Sequence, residues 1–125
     1  MDVTPLVAGG RQVVQSYGDG RFRVSGKVFE GSVLVFPQAC APWPVATFAD
    51  LTADSLAPVM VHDPRIEILL IGCGRRMALL PAALRQSLRA SGIVVDVMDT
   101  GAACRTYNGL MSEDRRVAAA LIAVG

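Results

Sequence analysis

The chain has 125 residues, with 12 basic and 11 acidic side chains, 52% hydrophobic and 18% charged residues. That length suits one buried core, the apolar content excludes a disordered chain, and no apolar run approaches the roughly 18 residues of a membrane span. The near balance of charge leaves no overall positive excess to hold a nucleic-acid backbone, so no nucleic-acid partner is expected.

Met1-Asp2-Val3-Thr4-Pro5 lacks both the basic start and apolar stretch of a secretory signal and the Arg- and Ser-rich character of an organelle presequence. A cytoplasmic protein is expected. Lys27 is the lone lysine among the basic residues, and alanine and valine are abundant, which is the bias of a GC-rich bacterial genome. Cys40, Cys73 and Cys104 are odd in number, widely spaced and never C-x-x-C, so free, mostly buried thiols are expected and no disulfide framework or zinc knuckle is encoded.

Gln12 to Tyr17 reads as a first strand, leaving through Gly18-Asp19-Gly20, a tight-turn signal. Arg21 to Val24 and Val28 to Phe36 are rich in β-formers around the turn Ser25-Gly26, which predicts a β-hairpin with a bulge at Gly31. Pro37 to Pro44 carries three prolines around Trp43 and cannot continue a central strand, so it reads as a docking loop. Trp43 there either anchors a partner or, more simply, packs over its own sheet edge.

From Thr52 to about Met60 the pattern suggests a short helix capped by Thr52 and ended early by Pro58. His62, the lone histidine, falls in the turn His62-Asp63-Pro64, where a solvent-facing position is expected. Ile66 to Ile71 is a nearly continuous apolar run, the mark of a central strand covered on both faces. After Gly72-Cys73-Gly74, Pro81 opens a helix with Leu80, Leu84 and Leu88 on one face, stopped by Ser91-Gly92. Ile93 to Met98 is the next strand, completing a βαβ unit whose strands should be parallel.

Thr100 is the predicted cap of a further helix, with Ala103, Tyr107, Leu110 and Met111 as the apolar stripe and Arg105, Asn108 and Ser112 as the polar one. Val117 to Val124 is apolar throughout; its alanines favour helix and its length favours a buried strand, which is the assignment adopted. The whole is an α/β fold: a single layered domain over residues 1–125, with a mixed central β-sheet, a βαβ unit and an N-terminal β-hairpin addition.

No motif announces chemistry. Gly72-x-Gly74 would need its third glycine at Met77 and has no helix start beside it, so it speaks more for a tight strand exit than for a dinucleotide site. With no G-x-S-x-G elbow and one histidine, a nucleophile and base would have to be gathered from scattered parts. No cofactor or metal is expected, and the protein reads as more binder than enzyme.

Topology offers the alternative. Residues 72 to 80 and 99 to 101 both follow C-terminal ends of parallel strands, where open α/β sheets form ligand crevices. Gly72, Gly74, Arg75, Arg76, Asp99, Thr100 and Arg105 would meet there, as an anion site or as an Asp99–arginine ion pair. Glu113-Asp114-Arg115-Arg116 reads as a solvated connection, or else as a cleft pair of Glu113 with Arg115 or Arg105.

Tyr17-Gly-Asp-Gly-Arg-Phe-Arg-Val, Gly31-Ser-Val-Leu-Val, Gly72-Cys-Gly, and above all Met98-Asp-Thr-Gly-Ala-Ala-Cys-Arg-Thr-Tyr-Asn108 with Arg115-Arg-Val-Ala-Ala-Ala-Leu121 resemble one small family. It includes mitochondrial NADH dehydrogenase complex I assembly factors, an adipogenesis-associated protein and bacterial and archaeal relatives of unknown function. The resemblance runs from about Tyr17 to Val124. It implies an α/β layered domain whose last apolar run is a strand, and a non-enzymatic binding or assembly role in respiratory complex I or membrane-protein biogenesis. It also implies a protein partner through which the chain would associate peripherally with a membrane. Gly72, Gly74, Asp99, Thr100, Arg105, Thr106, Tyr107, Asn108 and Glu113 match positions special in the family. Cys73 stands for a more usual threonine and Asp114 for a glycine, while Gly109 replaces an apolar residue at about 1 kcal/mol of helix propensity. The expected ligand-binding set is therefore Gly72, Gly74, Arg75, Asp99, Thr100, Arg105, Asn108 and Glu113. A homo-oligomer paired through the hairpin edge is the remaining expectation.

Overall fold

The computed structural model describes residues 10–125, so the Met1–Pro5 stretch read above for targeting lies outside the described residues. Two sheets make the frame. A three-stranded antiparallel sheet joins β1 (Val14–Gly18), β2 (Arg21–Val24) and β3 (Lys27–Glu30) in chain order. A five-stranded mixed sheet has the order β5-β4-β8-β6-β7, from β4 (Val33–Val35), β5 (Cys40–Pro42), β6 (Ile68–Gly72), β7 (Val94–Met98) and β8 (Val117–Leu121). β6 runs parallel to both β7 and β8, while β4 is antiparallel to β8 and β5. The mixed sheet, the βαβ unit and the hairpin addition are as the sequence predicts.

The bulge expected at Gly31 is instead a change of sheet. Gly31 has φ +84°, and the predicted long strand splits there, β3 staying in the small sheet while β4 enters the large one. The proline-rich segment also differs: Cys40–Pro42 pairs with β4 as an edge strand, where the missing N–H of Pro42 does no harm. Trp43 turns inward, 3% exposed, and its indole N–H donates to the Ser55 carbonyl at 2.8 Å.

Thr52 does not cap an α-helix directly. Its amide and hydroxyl bond reciprocally with Ser55, opening a 3-10 turn over 54–56 that leads into α1 (Ala57–Met60), and Pro58 sits in the first turn of α1 rather than ending it. The His62 ring is half-buried, not solvent-facing, stacked on Phe36 with centroids 4.0 Å apart. β6 does lie between two strands, but the middle strand of the five is β8.

The alternation along β8 divides the interior. Ala118 and Ala120 face a core with Leu84 and Leu88 of α2 (Ala82–Ala90), Trp43, Leu56 and Val59. Val117, Ala119 and Leu121 face a second core with Ala103, Cys104, Tyr107 and Met111 of α3 (Thr100–Ser112) and with Phe22, Val24 and Phe29 of the small sheet. Despite Gly109, α3 is continuous over its 13 residues; Gly109 lies on the exposed side, where a propensity cost of about 1 kcal/mol is carried by the packed face.

Candidate functional site

The C-terminal ends of β6, β7 and β8 share one edge of the large sheet and are laced together there. Cys73 N–H donates to Met98 O at 2.9 Å and Ile122 N–H to Gly72 O at 3.0 Å. Thr100 completes the lacing. Its amide donates to Gly74 O at 2.9 Å, its hydroxyl donates to Ile122 O at 2.7 Å, and the same oxygen accepts from Gly74 N–H at 3.0 Å. A residue so fully engaged is not the helix cap that its type suggests. Asp99 takes that place, its carboxylate accepting from Ala102 N–H at 2.9 Å rather than pairing with Arg75 or Arg76.

The two glycines serve this lacing. A Cβ on Gly72 would stand 3.0 Å from Thr100 Cα and 3.1 Å from its hydroxyl, so a side chain there would press strand and helix start a few tenths of an ångström apart. Gly74 has φ +98°, a conformation side chains resist, and turns the chain out toward Arg75.

Around this edge the small sheet closes a cleft of about 700 Å³. Gly74, Arg75 and Asp99 line it from the strand ends and Gly101 from the first turn of α3, while Tyr17, Arg21, Arg23 and Val28 line it from the hairpin. The Tyr17 hydroxyl lies where a Cβ on Gly101 would fall, 2.3 Å away, and an Arg105 guanidinium nitrogen lies 3.4 Å from that same point. Of the expected set, the structure thus brings together Gly74, Arg75 and Asp99, with Gly72 and Thr100 beneath them and Arg105 beside them.

Asn108 and Glu113 are elsewhere. Asn108 is 3% exposed, and its carboxamide accepts from Val14 N–H at 3.0 Å and donates to Val14 O at 2.9 Å, occupying the strand β1 as a neighbouring strand would. The predicted polar stripe misplaces it, because Cys104, Asn108 and Met111 fall on one helical face and both flanking residues are buried. Glu113 is the C-cap of α3, an axial distance of about 20 Å from Asp99. Of the two readings of this segment, the cleft pair of Glu113 is not among the ion pairs of the described residues: there Asp114 pairs with Arg11 and Arg116 with Glu67.

Tyr107 lies in the core, as the stripe predicts, and its hydroxyl donates to Gln12 O at 2.9 Å. Burial pushes its phenol well above the ordinary range and the Cys104 thiol up to about 12, so both keep their protons at neutral pH. Cys73 is buried too, its thiol directed at Arg76 O at 3.1 Å. Among the described residues no group of three His, Cys, Asp or Glu side chains could hold a metal, and no helix is long and apolar enough to cross a membrane.

Sequence reasoning missed Tyr17, Arg21, Arg23 and Val28. The alternation of Arg21 and Arg23 with Phe22 and Val24 was visible, but that the hairpin lies over the strand ends is a long-range fact.

Comparison with known proteins places these features in a family. Residues 14–122 match the model of a family described as protein of unknown function (DUF498/DUF598). NADH dehydrogenase [ubiquinone] 1 alpha subcomplex assembly factor 3 of Danio rerio is 39% identical over 110 residues, 88% of this chain and 63% of that protein. An uncharacterized protein of Rhodobacter capsulatus is 38% identical over 87% of this chain and 82% of its own length. The crystal structure of a Bordetella parapertussis protein, 41% identical, superposes with a TM-score of 0.84 over 93% of this chain and 98% of that one. The chain spans about three-fifths of the length of the assembly-factor relatives it matches. It is a member of the DUF498/DUF598 family, which embraces complex I assembly factor 3 and bacterial relatives.

Proposed function

We propose that this chain is a non-enzymatic binding protein that assists the assembly of respiratory NADH dehydrogenase or a kindred membrane complex. It works in the bacterial cytoplasm as one domain and reaches the membrane through a protein partner. The observation that supports this most is the likeness, nearly the full length of the chain, to a protein named as an assembly factor of that dehydrogenase. The buried site chemistry is compatible with it: Thr100, Tyr107 and Asn108 spend their polar atoms on backbone, and the cysteines with raised pKa values are poor nucleophiles at neutral pH.

Deleting the gene in its own host and resolving membrane complexes on native gels tests the reading. Less assembled NADH dehydrogenase, restored by the intact chain, is the expected result, with subunits or assembly components of that complex cross-linked to the tagged protein. Unchanged amounts of every respiratory complex in the deletion strain would sink it.

A further inference from the structure

The cleft carries chemistry that an assembly role does not use. Along β2, Phe22 and Val24 are buried, so Arg21 and Arg23 project from the opposite face, about 6.6 Å apart by the strand repeat. Both line the cleft, as does Arg75 from the loop after β6. Arg21 is held by Glu30, with its Nε 3.0 Å from the carboxylate. Among the described residues the ion pairs are Arg11–Asp114, Arg21–Glu30 and Arg116–Glu67, which leaves Arg23 and Arg75 without a carboxylate.

Beside Arg23, its cross-strand neighbour Val28 is 55% exposed, an apolar side chain turned to the cleft rather than to a core. Tyr17, opposite Phe22 in the register, turns to the other face of the small sheet, packs against the core and reaches the cleft at its Gly101 end. Two side-chain carboxylates also reach the lining: Asp99, one of whose oxygens holds the Ala102 amide, and Asp19 in the β1–β2 turn. A cleft of about 700 Å³ lies within the range of small-molecule sites. Guanidinium forks free of an internal partner match the oxygens of a phosphate or carboxylate two at a time.

We propose that this cleft binds a small organic oxyanion of about mononucleotide size: a phosphate or carboxylate clamped by Arg23 and Arg75, with an apolar or aromatic body lying against Val28. The site is independent of the assembly reading, since it requires no protein partner, and its test does not depend on the fate of any respiratory complex.

Titration of the 15N-labelled protein with AMP, citrate, inorganic phosphate and adenosine, followed by amide chemical shifts, tests it. Saturable shifts at Gly74, Gly101 and Arg23 with AMP or citrate are expected, with inorganic phosphate weaker and neutral adenosine inactive. The Arg23→Gln/Arg75→Gln protein should bind the same anion about tenfold or more weakly while its remaining spectrum is retained. Asp19→Asn, which removes a negative charge and keeps a residue type that tolerates its φ of +53°, should bind severalfold more tightly. The proposal is overturned if no oxyanion gives saturable shifts by about 5 mM, if the double arginine variant binds as well as the parent, or if AMP and citrate bind no tighter than inorganic phosphate.

Discussion

The two faces of the five-stranded sheet are built on different rules. On the α2 face, Leu84, Leu88, Leu56, Val59 and Trp43 pack on Ala118 and Ala120, and the one side-chain polar group they bring inward is the Trp43 indole, bonded to Ser55 O. On the α3 face, Thr100, Tyr107 and Asn108 are buried at 0%, 0% and 3% exposure, each with a hydrogen bond to backbone far away in the chain. Apolar packing has no direction and accepts many arrangements, whereas a buried polar group left unpaired costs free energy. The α2 face therefore needs a pattern, and the α3 face needs specific partners that fix how helix, small sheet and strand ends meet. Polar residues on α3 that look like ligands are in large part its means of registration.

The largest losses are expected from truncation on each face. Tyr107→Ala should lower stability by about 3–5 kcal/mol in urea melts and Leu88→Ala by about 2–5 kcal/mol, since both empty fully buried volume. Comparable losses do not separate the faces; Asn108→Leu does. It preserves bulk but strands Val14 N–H and C=O, and should cost about 2–3 kcal/mol with faster amide exchange at Val14. A volume-conserving Leu84→Met on the other face should cost less than about 1.5 kcal/mol. Equal costs for these two would erase the distinction.

Alkaline pH probes the same face more gently. The unfolded chain releases the Cys104 proton near 9.0 while the folded protein holds it to about 12, so above pH 9 the unfolded state binds fewer protons. The Cys104 contribution to stability should be constant below that point and then fall by about 1.4 kcal/mol per pH unit as pH rises toward 12. Tyr107, whose pKa is raised from 10.0 by the same burial, steepens the fall above 10. Melts of Cys104→Ala should show a shallower decline between pH 9 and 10. The smallest effect belongs to Arg105→Ala: the side chain is exposed on α3, and the change should leave stability within about 1 kcal/mol. If it unfolds the protein as Tyr107→Ala does, the arginine is a structural tie.

Much of the fold was legible because its signals are local. Ile68–Ile71 is apolar on both sides, Leu84 and Leu88 repeat at four, and Tyr107 belongs to a helical stripe; each shows its period within a few residues. The site was less legible because its decisive contacts join distant segments. Asp99 and Thr100 are both good caps by type, and only the presence of Ile122 O and Gly74 N–H beside the threonine assigns the cap to the aspartate. Asn108 is polar and its spacing from Arg105 and Ser112 predicts the polar stripe, although its neighbours at 104 and 111 put it on the buried side. Glu113 joins the site only through a candidate arginine pair and the family pattern, and helix length carries it away. Nothing near Arg23 in the sequence shows that the hairpin folds over residue 74.

Placing β8 at the centre of the large sheet has a consequence for the making of the protein. Its ladder to β4 joins Val33 to Leu121 and its ladder to β6 joins Ile68 to Val117, so without it the sheet falls into two unconnected pairs. During synthesis β4, β5, β6 and β7 all emerge before the strand that unites them. Until then Leu69, Leu70 and Ile71, all buried in the finished molecule, have an unpaired edge and no cover from Ala118 to Leu121. Contacts of such long sequence separation form late, because the intervening chain loses its freedom before any pairing rewards it. The nascent chain is thus a sticky, half-built sheet until residue 121 has left the ribosome, which makes this interval the one in which a holdase chaperone would matter most.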